Sequence, residues 1–202
     1  MFSVDSHSPF DFVDFLKGVR HIVMFHEDEE YATKLRFRFL QKGILNEELC
    51  VYVTPETPTF VEERMKKFGI DVEVSKERGL LKIIQARDDF ARAEDVTRRE
   101  DLLDEILGKS TSKRIVLDEV PSMGEAGIRN VMELERYAHT TMVSDHESSP
   151  NDHGAQRLLL CSYSVKEIEP ARHAAWMSDL LKLHDSVVFA PRSSEGIGFV
   201  MR

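Results

Sequence analysis

Eight residues of this chain have side chains suited to chemistry, and seven of them stand at the end of an apolar run: His26 and Glu27 after Ile22 to Phe25, Thr54 and Glu56 after Leu49 to Val53, Asp118 and Glu119 after Arg114 to Leu117, and Tyr163 closing Leu158 to Tyr163. The eighth, His184, ends the last helical stretch. An imidazole at a strand end can hydrogen-bond a small ligand or switch charge near neutrality. Carboxylates such as Asp118 and Glu119 can hold a divalent ion, but neighbours on an extended chain point in different directions. His146 and His153, with Asp145 and Asp152, are metal-ligand types in a polar stretch without the tight spacing of a metal site. Cys50 and Cys161 lie in apolar runs, where a thiol packs as a small hydrophobe. No Cys–His or Ser–His–Asp arrangement is legible from order alone.

These residues meet only if the runs are strands of one sheet. Ile22 to Phe25 is wholly apolar and too short for a buried helix, and a helix-period pattern follows through Tyr31, Leu35 and Phe39. Thr57-Pro58 opens a helix that Gly69 closes, and Asp71 to Val74 reads as a brief extended piece. A strand is expected over Leu80 to Ile84, and helices over Thr97 to Leu107, Glu125 to Val143 and Ala171 to Leu183. Ser144 to Gly154 reads as a polar insertion. Ser186 to Ala190 and Ile197 to Met201 form an expected antiparallel hairpin. Strands alternating with helices predict an α/β fold: a three-layer, mostly parallel sheet with helices on both faces and a C-terminal β-hairpin. Ligands of such sheets bind outside the carboxyl ends of the strands. The residues at those ends describe an acidic mouth, and His184 and Tyr163 are expected in the same crevice. Residues 1–18 read as a polar lead with a short helix opened by Ser8-Pro9, and 19–202 as one domain.

Composition narrows the function. Of 202 residues, 42% are hydrophobic and 31% charged, the profile of a globular chain, and the net charge is −9 without a basic block. That disfavours direct nucleic-acid binding, which rests on lysine and arginine at phosphates. No apolar run approaches the roughly 20 residues of a membrane helix, and the N-terminus lacks the form of a signal peptide. Two cysteines in core strands fit reduced thiols, so the expectation is a cytoplasmic protein with no membrane contact.

The turn after Phe25 bears on mechanism. A strand turning into a helix is where a nucleotide-binding domain grips phosphate, through glycines, a lysine and the helix N-terminus. Here the turn holds Glu27, Asp28, Glu29 and Glu30, with no glycine or lysine. Carboxylates satisfy the helix dipole internally and repel phosphate.

With those residues placed, the chain resembles the MEDS family, the sensory domain of methanogens, methylotrophs and the dichloromethane repressor DcmR. The resemblance rests on His21-Ile-Val-Met-Phe-His-Glu-Asp-Glu-Glu30, Glu48-Leu-Cys-Val-Tyr-Val-Thr-Pro-Glu56, Gly69-Ile-Asp-Val-Glu73, Leu159-Leu-Cys-Ser-Tyr163 and Leu183-His184, and it spans roughly residues 19–190. The family is similar to RecA/KaiC-type ATPases, so the resemblance implies a RecA/KaiC-like, P-loop NTPase-type sheet. Asp118 then matches the Walker B acid that helps hold Mg²⁺, and Glu56 the glutamate that orients water. The Gly-x-x-x-x-Gly-Lys-Ser/Thr loop has no match, which removes the main stabilisation of phosphoryl transfer. The implied role is a sensory, signal-transducing domain without catalysis or cofactor. It would bind a small molecule or a regulatory protein partner in the crevice and signal by conformational or oligomeric change, for instance as a homodimer. The rivals are a divergent ATPase using Asp118 and Glu56, and an interaction module with no ligand.

Overall fold

The structure is a computed structural model that describes residues 4–5, 8–86, 105–106, 112–118, 125–147, 156–165, 170–190 and 200–201. Its strands are β1 (Val4–Asp5), β2 (Val19–His26), β3 (Leu49–Thr54), β4 (Leu81–Gln85), β5 (Lys113–Leu117), β6 (Arg157–Ser164), β7 (Ser186–Ala190) and β8 (Val200–Met201). Its helices are α1 (Pro9–Phe15), α2 (Glu29–Leu45), α3 (Pro58–Phe68), α4 (Val72–Glu77), α5 (Glu125–Glu147) and α6 (Pro170–Lys182). One sheet holds all eight strands in the order β1-β8-β7-β2-β6-β5-β3-β4. The six from β7 to β4 are parallel; β8 runs antiparallel to β7, and β1 antiparallel to β8. The expected three-layer α/β fold and the antiparallel pairing of the last two strands are both borne out.

Strand alternation divides the interior into two cores. Ile22, Met24, Cys50, Tyr52, Val116, Leu158 and Leu160 pack with α1 and α2 on one face. Val23, Val51, Val53, Ile115, Leu117, Leu159 and Cys161 pack with α5 and α6 on the other. Burial on both faces explains why these strands read as continuous apolar runs. β2 leads into α2 on the first face and β6 into α6 on the second. These two strands lie side by side, with Phe25 opposite Tyr163 and His26 opposite Ser164. Such a divergence of connections is where an open sheet leaves a crevice.

Local chemistry sets the helix starts. Ser8 caps α1, its Oγ accepting from the Asp11 N–H at 3.1 Å, with Pro9 at the first position. Gly69 ends α3 in the left-handed region at φ 98°, a conformation that favours glycine. The extended piece expected over Asp71 to Val74 is instead the start of α4. Val72 and Val74 imitate strand alternation, but the Asp71 carboxylate accepts from the Val74 N–H at 3.1 Å and begins a helix. Helix α5 likewise runs to Glu147, into the span read as a polar insertion, because no glycine or proline intervenes before Pro150. The helix expected over 97–107 lies outside the described residues except at 105–106.

A second glycine is required for space. Gly43 of α2 lies where a Cβ would sit 2.5 Å from Cys50 Sγ and 2.8 Å from Arg114 Cδ. The close approach lets the buried Arg114 guanidinium pass beneath α2. Its Nε donates to Glu48 Oε2 at 2.7 Å and its Nη1 to the Val13 and Phe39 carbonyls at 3.3 Å.

Candidate functional site

At the carboxyl ends of β2, β3 and β5, on the α2 face, the fold assembles a network of charged and hydroxyl side chains. The turn after β2 closes on itself: Asp28 Oδ1 accepts from the N–H groups of Glu30 at 2.8 Å and Tyr31 at 3.1 Å. A carboxylate of the chain thus holds the N–H groups that a phosphate would need. Two turns further along α2, Arg36 is fully buried. It donates to the Asp118 carboxylate, to the Glu29 carboxylate, to Ser162 Oγ at 3.0 Å and to Thr33 Oγ1 at 2.9 Å. The Tyr52 hydroxyl donates to the other oxygen of Asp118. Arg64 of α3 extends the network, reaching Thr33 Oγ1 at 2.7 Å and the two Glu56 oxygens at 3.1 and 3.2 Å. The Glu56 N–H donates in turn to Thr54 Oγ1 at 3.2 Å, and His26 Nδ1 lies 3.6 Å from Glu29 Oε2.

Burial governs the electrostatics here. It pushes the Asp118 carboxyl above its ordinary range, with the Arg36 guanidinium pulling the other way. Burial alone would lower Arg36, but the charges around it, Asp118 foremost, outweigh that and hold it above its usual value. Desolvation raises the Tyr52 hydroxyl well above its ordinary value, so Tyr52 remains a donor. Two open clefts lie at the opposite, N-terminal ends of the strands. One of about 550 Å³ is lined by Phe12, Phe15, Arg20 and Asp185, and one of about 890 Å³ by Glu47, Glu48, Gly79 and Gln156.

The other face of the sheet carries a second cluster. His21 of β2 and Cys161 and Tyr163 of β6 point toward α5, whose Glu135 is fully buried against them, and His184 follows the end of α6. Glu135 Oε2 lies 2.9 Å from His21 Nε2, 3.3 Å from His184 Nε2 and 3.5 Å from Cys161 Sγ. The Tyr163 hydroxyl donates to the remaining oxygen, Oε1. Each imidazole is oriented from behind: His21 Nδ1 meets the Leu183 carbonyl at 3.1 Å and His184 Nδ1 the Leu180 carbonyl at 2.7 Å. His139, one turn beyond Glu135 on α5, lies with its ring centroid 6.0 Å from that of His21. Burial opposes ionisation of Glu135, yet the His184 and His21 rings hold its carboxyl well below the usual range, while burial lowers the His21 imidazole. His21, Glu135, Cys161 and His184 each offer one atom of a ligating type, all within 4.8 Å of one another.

Residues 20–185 match the model of the family described as MEDS, MEthanogen/methylotroph, DcmR Sensory domain. The chain belongs to the MEDS family. No curated protein matches it.

In this MEDS domain seven of the eight residues singled out from sequence divide between two places. His26, Thr54, Glu56 and Asp118 join the α2-face network, and the Glu27 N–H pairs with the Ala190 carbonyl beside it at 3.1 Å. Tyr163 and His184 do meet, but across Glu135 on the α5 face. Glu119 and His153 lie outside the described residues, and His146 lies in the last turn of α5. Sequence reasoning passed over Arg36, Tyr52, His21 and Glu135. A signal was present: Glu135 falls between Val131 and Ala138, and Arg36 between Ala32 and Leu40, each on an apolar helical stripe. A charge in such a stripe needs a buried partner.

Proposed function

We propose that the chain is a non-catalytic sensory domain that binds a small molecule at the α2-face crevice and signals through the arrangement of the network there. The observation that carries this reading is the pairing of Arg36, fully buried, with Glu29, whose side chain is 57% exposed. Asp118 fixes one edge of the guanidinium from inside, while the outer edge is held by a carboxylate that solvent reaches. A ligand bearing a carboxylate or comparable oxygen would replace Glu29 on Arg36 with little rearrangement of the core. Release of Glu29, at the first turn of α2, would then alter the rim surface offered to a second copy or to a regulatory protein, a population shift driven by differential binding. Asp28 capping its own helix and Asp118 bound to Arg36 both weigh against the divergent ATPase, because the groups that would grip phosphate and Mg²⁺ are engaged within the chain.

A second reading, an interaction module without a ligand, has one observation in its favour: Arg36, Tyr52, Thr54 and Asp118 fill the space beneath the strand ends. Thermal melting with a panel of small carboxylates, alcohols and aldehydes, beside ATP and ADP with Mg²⁺, separates these readings. The sensor predicts a shift with a member of the panel that Arg36→Met removes. A Mg²⁺-dependent nucleotide shift lost in Asp118→Asn would establish the ATPase instead. If Glu29→Gln changes association with a partner or second copy while no compound shifts the melt, the interaction module stands.

A further inference from the structure

We propose that His21, Glu135, Cys161 and His184 form a binding site for a zinc-class divalent cation, with four protein ligands and Tyr163 as the positioning residue behind Glu135. The argument starts from hydrogen-bond polarity. A backbone carbonyl only accepts, so the Nδ1 atoms of His21 and His184, at 3.1 and 2.7 Å from Leu183 and Leu180 carbonyls, both carry protons. In the neutral rings each Nε2 is then a bare lone pair, and both lone pairs aim at the same carboxylate oxygen of Glu135. Cys161 Sγ closes the group at 3.4 Å from His21 Nε2 and 3.5 Å from Glu135 Oε2. With both rings neutral, the imidazole lone pairs and the carboxylate oxygen repel one another, and either protons on the rings or a metal cation among the ligand atoms relieves that repulsion.

The geometry agrees with the chemistry. Tetrahedral zinc, with bonds of about 2.0–2.3 Å, sets its ligand atoms about 3.3–3.6 Å apart. Three of the distances above fall within that range as rounded, and the His21–Glu135 distance of 2.9 Å needs only a small outward move. Two imidazoles, a thiolate and one carboxylate oxygen favour Zn²⁺, Co²⁺ or Fe²⁺ over Mg²⁺ or Ca²⁺, which take mainly oxygen. The outer contacts are also of the metal-site kind: each ring donates Nδ1–H to a carbonyl, and the Tyr163 hydroxyl occupies Oε1 so that Oε2 faces the ligands. With four protein donors the site is closed, so its role is to tie α5 and the end of α6 to β2 and β6 rather than to activate water. It lies on the opposite face from the crevice and does not depend on the sensor reading.

The test uses the full chain, stripped with a chelator and titrated with Co²⁺ and then Zn²⁺. Expected are saturation at a single equivalent, the strong visible bands of tetrahedral cobalt, a thiolate-to-cobalt charge-transfer band, displacement by Zn²⁺ and a raised melting temperature. Cys161→Ser should lose the charge-transfer band and at least tenfold in affinity, whereas Cys50→Ser keeps both. Tyr163→Phe should keep the band and lose about tenfold in affinity, the usual range for an outer hydrogen bond. X-ray absorption of the zinc-loaded wild type guards against a variant that fails to fold, and should find one sulfur at about 2.3 Å with nitrogen and oxygen at about 2.0 Å. A shell of oxygen and nitrogen alone, no tetrahedral cobalt spectrum, or metal binding unchanged by both Cys161→Ser and His184→Gln would overturn the proposal.

Discussion

Asp118→Asn tests whether Asp118 is a structural anchor or a solvated acid waiting for a metal–nucleotide complex. Asparagine has nearly the same shape, so no cavity opens and the change is electrostatic. Arg36, fully buried, would lose its inner counter-charge and keep Glu29, which is 57% exposed and therefore screened by solvent. Removing one partner of a buried pair costs about 3–5 kcal/mol, because the other charge stays buried without compensation. The retained Glu29 places the expected loss near the lower end, about 3 kcal/mol. The amide must also turn its NH₂ toward either the Arg36 guanidinium or the Tyr52 hydroxyl, both of which donate to Asp118 in the native chain. With a urea dependence of roughly 2–3 kcal/mol per molar, the unfolding midpoint should fall by about 1 M or more. Adding Arg36→Met to Asp118→Asn removes the stranded charge and should recover part of the loss. The assay is urea unfolding followed by circular dichroism and by Trp176 fluorescence. A midpoint for Asp118→Asn within about 0.3 M of wild type, or no recovery in the double variant, would refute the anchor and return Asp118 to the role of a ligand-poised acid.

Other perturbations follow from the same contacts. Gly43→Ala should destabilise by about 1–3 kcal/mol in urea unfolding, because the clash with Cys50 Sγ and Arg114 Cδ outweighs alanine's helix preference of about 1 kcal/mol. In a Cys161→Ser background the Cys50 thiol, pushed up to about 12 by burial, should resist alkylation at pH 8 in the native chain and react on unfolding. The same shift predicts alkaline weakening. The unfolded thiol ionises first, so the stabilisation is whole below about pH 8.5 and is lost as pH rises toward the native value, by about 1–2 kcal/mol at pH 10. Tyr52, raised well above its ordinary value by burial, adds to that loss at higher pH, and melting temperatures from pH 7 to 10.5 measure the sum. Ser8→Ala, which removes the cap of α1, should cost about 1 kcal/mol in the same unfolding assay.

The order of elements was legible because the strands are buried on both faces and punctuated by Pro58, Gly69 and Gly79, so apolar runs and breakers marked them directly. α4 was misread because Val72 and Val74 alternate as in a strand, while the group that decides the matter, the Asp71 carboxylate, acts through a single N–H. Which residues share a crevice was less legible. Position along a strand is readable, but the face a residue takes depends on its parity within the strand. Asp118 continues the α2-face parity of Arg114 and Val116, whereas Tyr163 shares the opposite parity with Leu159 and Cys161. Two residues at strand ends can thus stand on opposite sides of a sheet. Glu135 and Arg36 were hidden for another reason: each looks like a solvated helix charge until its partners, 82 residues away for Asp118 and 28 for Tyr163, are brought to it by the fold.

Among the described residues three carboxylates are buried, and their partners separate them by role. Glu48 is met by Arg114, and Asp118 by Arg36. A guanidinium is charged at every pH the folded chain encounters, so these two pairs carry a fixed, locally balanced charge, Arg36–Asp118 tying α2 to the end of β5 and Arg114–Glu48 tying β5 to the turn before β3. Glu135 is met instead by two imidazoles, a thiol and a phenol. None of those is permanently cationic. Of the three buried carboxylates among the described residues, Glu135 is the one that no guanidinium meets. Were the cluster only a tie, an arginine would do the work as it does twice elsewhere in this fold. Two Nδ1-tethered histidines and a cysteine around a carboxylate make sense if a metal cation from outside the chain completes the set.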